Sequence, residues 1–356
     1  MNKGVLLFLI SIGLVAAILY FAGFDETVKV MVSIPPVYIL ALLAIQIFLL
    51  LLSAIKWRFI LRNTKVSFKK LLAATLLGYL INNINPLGLV GGEPVKAYVL
   101  SKSGKVPTEK SFASVIVDLF LEIIPKFLLS TLAIILILLY GIPSEIAVVL
   151  GFAALLILVF FIITVGLVVN ESFSRRIINF IIGLMSKVPI LKTKVSFVRS
   201  EVDEIFSRFH EAMREHLLDN RTILVGTLIS VFYWLIRFLR IYLIFLAIGV
   251  NMPLHTIIIV QVVASVVSFF PILPGAIGIW EGTNIALYTL LGGSLGVTLA
   301  KATTVTIIDR ILFYVIPSVL GVFAAFYLGI NLSKLVKSEM KDETVEFEEI
   351  SRIVSP

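Results

Sequence analysis

The chain has 356 residues, 59% of them hydrophobic, with a mean hydropathy of +1.08 and a formal charge of +8 at pH 7. That apolar content exceeds what a soluble core of this length needs and marks an integral membrane protein. With no Cys, the chain excludes disulfides, thiolate catalysis and Cys-based metal sites, and its three His are too scattered for a metal cluster.

The positive charge lies in loops beside hydrophobic spans, so it reads as the positive-inside signal and not as a nucleic-acid footprint. No G-x-x-x-x-G-K-[ST] pattern occurs, so no nucleotide-driven motor is recognisable, and no cofactor is expected.

In chain order, residues 1–24 carry one Lys, a long apolar run and no small-x-small cleavage site, which predicts a retained transmembrane helix and not a signal peptide. Full spans are predicted at about 4–23, 37–55, 111–140, 145–169, 222–248 and 299–330, each near the roughly 20 residues that a crossing needs. Two shorter apolar stretches, about 68–85 and 254–273, run into Pro-Gly signatures and predict the first arms of re-entrant or broken helices. The loop 56–70 holds Lys56, Arg58, Arg62, Lys65, Lys69 and Lys70 with no acid, so it is expected in the cytoplasm. The same rule puts the amphipathic connector 170–221, the tail 331–356 and both termini there. The expected fold is therefore an all-α polytopic membrane protein of about six full transmembrane helices plus two re-entrant or broken ones. One transmembrane domain spans 1–330, with repeat one at about 37–169 and repeat two at about 222–330.

The repeats are legible because one polar signature occurs twice. The first copy runs from Asn82 through Asn83, Asn85, Pro86, Gly91 and Gly92 to Glu93. The second runs through Pro274, Gly275 and Gly278 to Glu281. In each copy Glu follows Pro by seven residues, then a Val-x-x-x-Lys appears, then an Asp eight residues beyond the Lys. These are Val106, Lys110 and Asp118 in the first, and Val297, Lys301 and Asp309 in the second. Broken helices and carboxylates persist in lipid mainly where they face protein or a water-filled cavity. Because the predicted topology enters one copy from the cytoplasm and the other from outside, the repeats should be inverted. Inverted repeats with broken helices place a carrier's substrate site near the midplane.

Further charges fall within predicted spans. Asp118, Glu122 and Lys126 lie at i, i+4 and i+8 on one helix face, beside Pro125. They form either an ion pair that locks helix packing or the polar wall of a cavity or proton relay. Asp309 and Arg310 sit within the last span. Arg237 and Arg240 lie mid-span, where each needs an acidic partner (Glu281, Asp309, Glu93 or Asp118) or a lipid phosphate, whose oxygens suit a guanidinium fork. In the signatures, Gly and Pro shape the break, Asn82, Asn83 and Asn85 can bond freed backbone groups or a headgroup, and Glu93 and Glu281 either cap helix starts or line the site.

Asn-Pro-Leu-Gly-Leu-Val-Gly-Gly-Glu-Pro at 85–94 and Leu-Pro-Gly-Ala-Ile-Gly-Ile-Trp-Glu-Gly at 273–282 resemble the two hallmark segments of the lysylphosphatidylglycerol synthase transmembrane region, the flippase-like domain family. The second is the more specific and follows the family's Pro-Gly-x-x-Gly-x-x-Glu pattern. The resemblance covers about residues 5–330. It implies movement of lipid between leaflets of the cell membrane. It does not carry over aminoacyl or glycosyl transfer, which belong to other domains.

Together these readings predict a translocase for a membrane lipid with an anionic or phosphate-linked headgroup. Glu93, Glu281, Asp118 and Asp309 would line the cavity or carry coupling protons, and Arg237 and Arg240 would meet the phosphate. The rivals are a membrane-embedded enzyme on a lipid-linked substrate and a scaffold for a separate lipid-modifying enzyme.

Overall fold

A computed structural model describes residues 16–84, 92–140, 211–267 and 276–330, with isolated positions at 13–14 and between 148 and 176. The first half of the span expected at 4–23, most of the span at 145–169, most of the connector and the tail lie outside the described residues. So do the signature residues Asn85, Pro86, Gly91, Pro274 and Gly275.

The described chain is helical, with no strand. A short helix α1 (Phe24–Val32) leads to α2 (Pro36–Ile60), which starts on Pro36, where a missing N–H costs nothing. Two shorter helices follow, α3 (Phe68–Ile84) and α4 (Gly92–Gly104), then the long α5 (Thr108–Tyr140). The same order recurs. Helix α6 (Asn220–Ala247) is followed by α7 (Leu254–Val267), α8 (Ile279–Gly292) and α9 (Leu299–Arg310). A π-turn (Ile311–Val315) carries α9 into α10 (Ile316–Tyr327). Four segments are long and apolar enough to cross a membrane: α2, α5, α6 and the run from α9 to α10. The count of six full spans is thus met by four among the described residues.

The short helices pair as antiparallel hairpins. Lys70 near the start of α3 donates to the Ser103 carbonyl near the end of α4, while Asn82 at the other end accepts from the Gly92 N–H at 2.7 Å. In the second hairpin, Gln261 of α7 donates to Asn284 of α8 at 2.8 Å. At 1.5 Å per residue these arms are about 20–25 Å long, short of a hydrocarbon core of about 30 Å.

Long-range contacts fix how the halves meet. Just past the end of α2, Arg62 binds Asp219 and Thr222 at the start of α6. Mid-α2, Gln46 accepts from Arg240 near the end of α6. Helices α2 and α6 therefore run antiparallel. Two further contacts between halves match each other. Helix α3 packs on α10, with Asn83 donating to Ser318 at 2.8 Å, and α5 packs on α7, where Tyr140 stacks on His255 at 3.8 Å. Two apolar cores form, one around Trp57, Leu77 and Leu121 and joined by Ala325 of α10, the other around Phe245, Ile257 and Tyr288 and joined by Leu42 of α2. At the α2–α6 joint, the Thr222 hydroxyl and the Arg62 guanidinium hold the Asp219 carboxyl well below the usual carboxylate range.

Candidate functional site

The turn that leads into the last long helix of each half is built alike. Lys105 (φ 54°) and Gly296 (φ 77°) take the left-handed conformation, and the following Val106 and Val297 are buried. Lys110 and Lys301 then face outward. Lys110 lies 3.7 Å from Glu215, and Lys301 donates to the Gly296 carbonyl at 3.1 Å. The carboxylates eight residues on point inward instead, and Asp118 and Asp309 are among the most buried charges in the molecule. The repeated spacing thus separates a surface cation from a buried anion by about two helical turns.

Around Asp118, helices α2, α4 and α5 bring six charges together. Its carboxylate bridges Lys56 and Lys96, at 2.9 Å each. Lys96 also reaches Glu93 at 3.1 Å, and Lys56 reaches Glu122 at 2.9 Å. Glu122 holds Lys126 at 3.5 Å, the helical pairing that the sequence predicts. The Lys96 ammonium lies 4.5 Å from the Trp57 ring centre, and the Trp57 indole is fixed by a 2.9 Å bond to Ser114. Three lysines meet three carboxylates, so the cluster is neutral.

Two of these residues correct the sequence reading. Lys56 belongs to a buried helix and not to the loop 56–70. Helix α2 continues to Ile60, and Lys56 is accommodated there because two acids from α5 meet it. Lys96, which was not singled out, follows Glu93 by three residues, and this spacing was its available signal.

Around Asp309 the second cluster gathers arginines. Arg240 binds Asp309 and Gln46, so the partner it lacked in the sequence is internal. Arg310 pairs with Glu281 at 2.9 Å, and the other oxygen of Glu281 accepts from the Gly278 N–H at 2.7 Å. Glu281 therefore caps the start of α8 and holds a buried cation at once. Gly278 has φ 88°, a conformation that glycine takes without strain. The π-turn after Arg310 was not foreseen. Pro317 offers no N–H to the ladder, and a widened turn accommodates this near a charged site. The turn presents Phe313 and Tyr314 to the arginines. Arg310 lies 5.3 Å from the Phe313 ring centre and 4.1 Å from that of Tyr314.

Arg237 is different. Its guanidinium lies 5.0 Å from the Trp234 ring centre and 5.3 Å from that of Phe313, and it donates a long 3.4 Å bond to Gln261. No carboxylate pairs with it among the described residues. Gln261, missed in the sequence because nothing local distinguishes it, is held by Asn284 at 2.8 Å and Tyr288 at 3.0 Å. Three arginines here face two carboxylates, so this cluster carries net positive charge.

The signatures meet between the clusters. Asn83 donates to the Tyr314 carbonyl at 3.0 Å, and the Tyr314 hydroxyl donates back to the Asn83 carbonyl. Tyr314 underlies Arg310, which binds Glu281. A continuous chain of contacts thus runs from the first signature to the second. Asn82, Gly92 and Glu93 sit at the first hairpin's break, Gly278 and Glu281 at the second's, and Asp118 and Asp309 beside them.

This geometry belongs to a chain with relatives of similar length. It is 29% identical over 342 residues to a UPF0104 membrane protein of Methanothermobacter thermautotrophicus, covering 95% of this chain and 99% of the relative. A second protein of that name from the same organism is 30% identical over 316 residues, 87% of this chain and 89% of the relative. UPF0104 membrane protein PH1989 of Pyrococcus horikoshii is 28% identical over 329 residues, 90% of this chain and 95% of the relative. The family described as the lysylphosphatidylglycerol synthase TM region matches residues 5–321. The chain is therefore an integral membrane protein of the lysylphosphatidylglycerol synthase TM region family, with UPF0104 membrane proteins as its relatives.

Proposed function

We propose that this protein moves a lipid with an anionic or phosphate-linked headgroup between leaflets, through the polar interior between its two halves. The single observation that carries this reading is Arg237. A half-buried cation set against two aromatic rings, with no acid beside it among the described residues, leaves an unmet demand for an anion. A phosphate fits a guanidinium fork through two oxygens at once. The carboxylates supply what release requires, since Glu281 and Asp309 already hold the neighbouring arginines and can compete for them as the headgroup leaves. The test is transfer of labelled phosphatidylglycerol in vesicles that contain the purified protein. Arg237→Gln should slow transfer by about tenfold or more, the loss expected for a hydrogen bond to a charged group. Arg237→Lys should recover only part of it. Normal transfer by Arg237→Gln would overturn the assignment. Chemically altered lipid would favour an embedded enzyme instead, and neither transfer nor change would favour a scaffold.

The arrangement we infer in the membrane is an inverted repeat, with the α2–α3 turn in the cytoplasm and the α6–α7 turn outside. Its supports are the antiparallel α2 and α6, the matched hairpins and the basic residues at 56–70. The chain has no native Cys, so single cysteines report cleanly. Lys65→Cys and Asn251→Cys both fall at exposed positions. An impermeant maleimide applied to intact cells should label the second and spare the first. Labelling of both, or of position 65 alone, would rule the arrangement out.

A further inference from the structure

Helices α5 and α6 run side by side and in the same direction. They touch closely at Leu121 and Gly226, where a Cβ on residue 226 would come within 2.4 Å of the leucine. One turn further on they part, and a recess opens between Pro125, Leu128 and Leu129 on one side and Val231, Trp234 and Leu235 on the other. All six side chains are apolar. Leu128 and Leu235 at its rim are 54% and 55% exposed, so the recess opens on the outer, lipid-facing surface of the bundle. Trp234 forms one wall, and the Arg237 guanidinium lies 5.0 Å from its ring. A single indole thus separates an apolar slot from the cation that no carboxylate meets among the described residues.

We propose that this recess seats one hydrocarbon chain of a phospholipid with net negative charge, whose headgroup phosphate is held at Arg237. The inference rests on the lipid-transfer reading above and names where its substrate docks. The occupant follows from the two chemistries that meet at Trp234. A slot lined only by carbon takes a chain, and the net positive charge behind it takes an anion. A lipid entering sideways offers both at the right ends, with its tail in the bilayer and its phosphate turned inward. A soluble anion would satisfy Arg237 and leave the slot unused.

The experiment is native mass spectrometry of the full chain in detergent, with dioleoylphosphatidylglycerol or dioleoylphosphatidylcholine added. The wild type should retain phosphatidylglycerol in preference to phosphatidylcholine. Leu128→Trp and Leu235→Trp fill the slot from its exposed rim and should leave the melting temperature unchanged. Each should lower phosphatidylglycerol retention by about tenfold, the loss of one or two buried methylenes of chain. Leu138→Trp, on the outer face of the same helix and 73% exposed, should change nothing. Arg237→Gln should remove the preference between the two lipids while a chain still binds. If the two slot variants match Leu138→Trp, or if they instead dissolve a dimer, the seat is disproved. Vesicle assays separate this failure from failure of the transfer reading. A wild type that binds at the slot but moves no lipid keeps the seat and loses the function. Slot variants that move lipid normally do the reverse.

Discussion

Replacing Asp118 with leucine should melt the first half of the bundle far more than its loss of two oxygens suggests. Asp118 is the shared partner of Lys56 and Lys96, and the three side chains are 5%, 4% and 5% exposed. Leucine at this position leaves two buried ammonium groups around an apolar side chain. Removing one member of a buried ionic set typically costs about 3–5 kcal/mol, because the remaining charge is neither solvated nor paired. Glu93 and Glu122 still hold one lysine each, which keeps the loss within that range. Removing every member should restore stability, since well-packed apolar replacements of buried ion pairs are often neutral or better. The triple variant Lys56→Met, Lys96→Met, Asp118→Leu should therefore melt near the wild type in detergent, while Asp118→Leu alone melts well below it. An unchanged melting temperature in the single variant would mean that water reaches these lysines and that the cluster is not a sealed joint. If the triple variant is stable but moves no lipid, the charges are present for transport. If it is stable and active, they serve only to order the helices.

The sequence located both hairpins because their signals are local. Pro-to-Glu and Lys-to-Asp spacings survive in both copies, and both breaks in the apolar chain are marked by Pro and Gly close together. Glu122 with Lys126 was legible for the same reason, since one helical turn fixes that pair. The long-range pairs were not. Arg240 finds Asp309 from another helix 69 residues away, and spacing along the chain says nothing about which distant helix packs alongside. Lys56 was obscured by its neighbours, because six basic residues in 56–70 read as one cytoplasmic loop although the first of them lies inside a helix. Gln46 and Gln261 carry no charge to draw notice, yet they bind Arg240 and Arg237 of α6. The π-turn has a visible cause in Pro317, but proline leaves several outcomes open, and packing of Phe313 and Tyr314 against the arginines accompanies the one observed.

Gly92→Ala should be more damaging than any other single methyl added to the described glycines, because it meets backbone most closely, at 2.1 Å against 2.6 Å for the Leu76 carbonyl beside Gly321. The new Cβ would lie 2.1 Å from the Gly78 carbonyl oxygen and 2.9 Å from the Asn82 side chain. Helices α3 and α4 cross at this point with almost nothing between them, a closeness that only small residues allow. A side chain in the way can rotate aside, but a carbonyl in mid-helix cannot. The hairpin must therefore open, which breaks the 2.7 Å bond from the Gly92 N–H to Asn82 and draws Lys96, one turn further along, away from Trp57 and Asp118. The cost should exceed the roughly 1–3 kcal/mol of ordinary overpacking, since a charge cluster is disturbed as well. Two other glycines calibrate the result. Gly226→Ala meets only the end of the Leu121 side chain and should be mild, and Gly282→Ala has nothing within 4 Å and should be silent. Melting temperature and the yield of monodisperse protein in detergent would rank the three. Should Gly92→Ala behave like Gly282→Ala, the tight crossing of α3 and α4 is absent in the membrane, and Lys96 needs a different account of how it is held against Asp118.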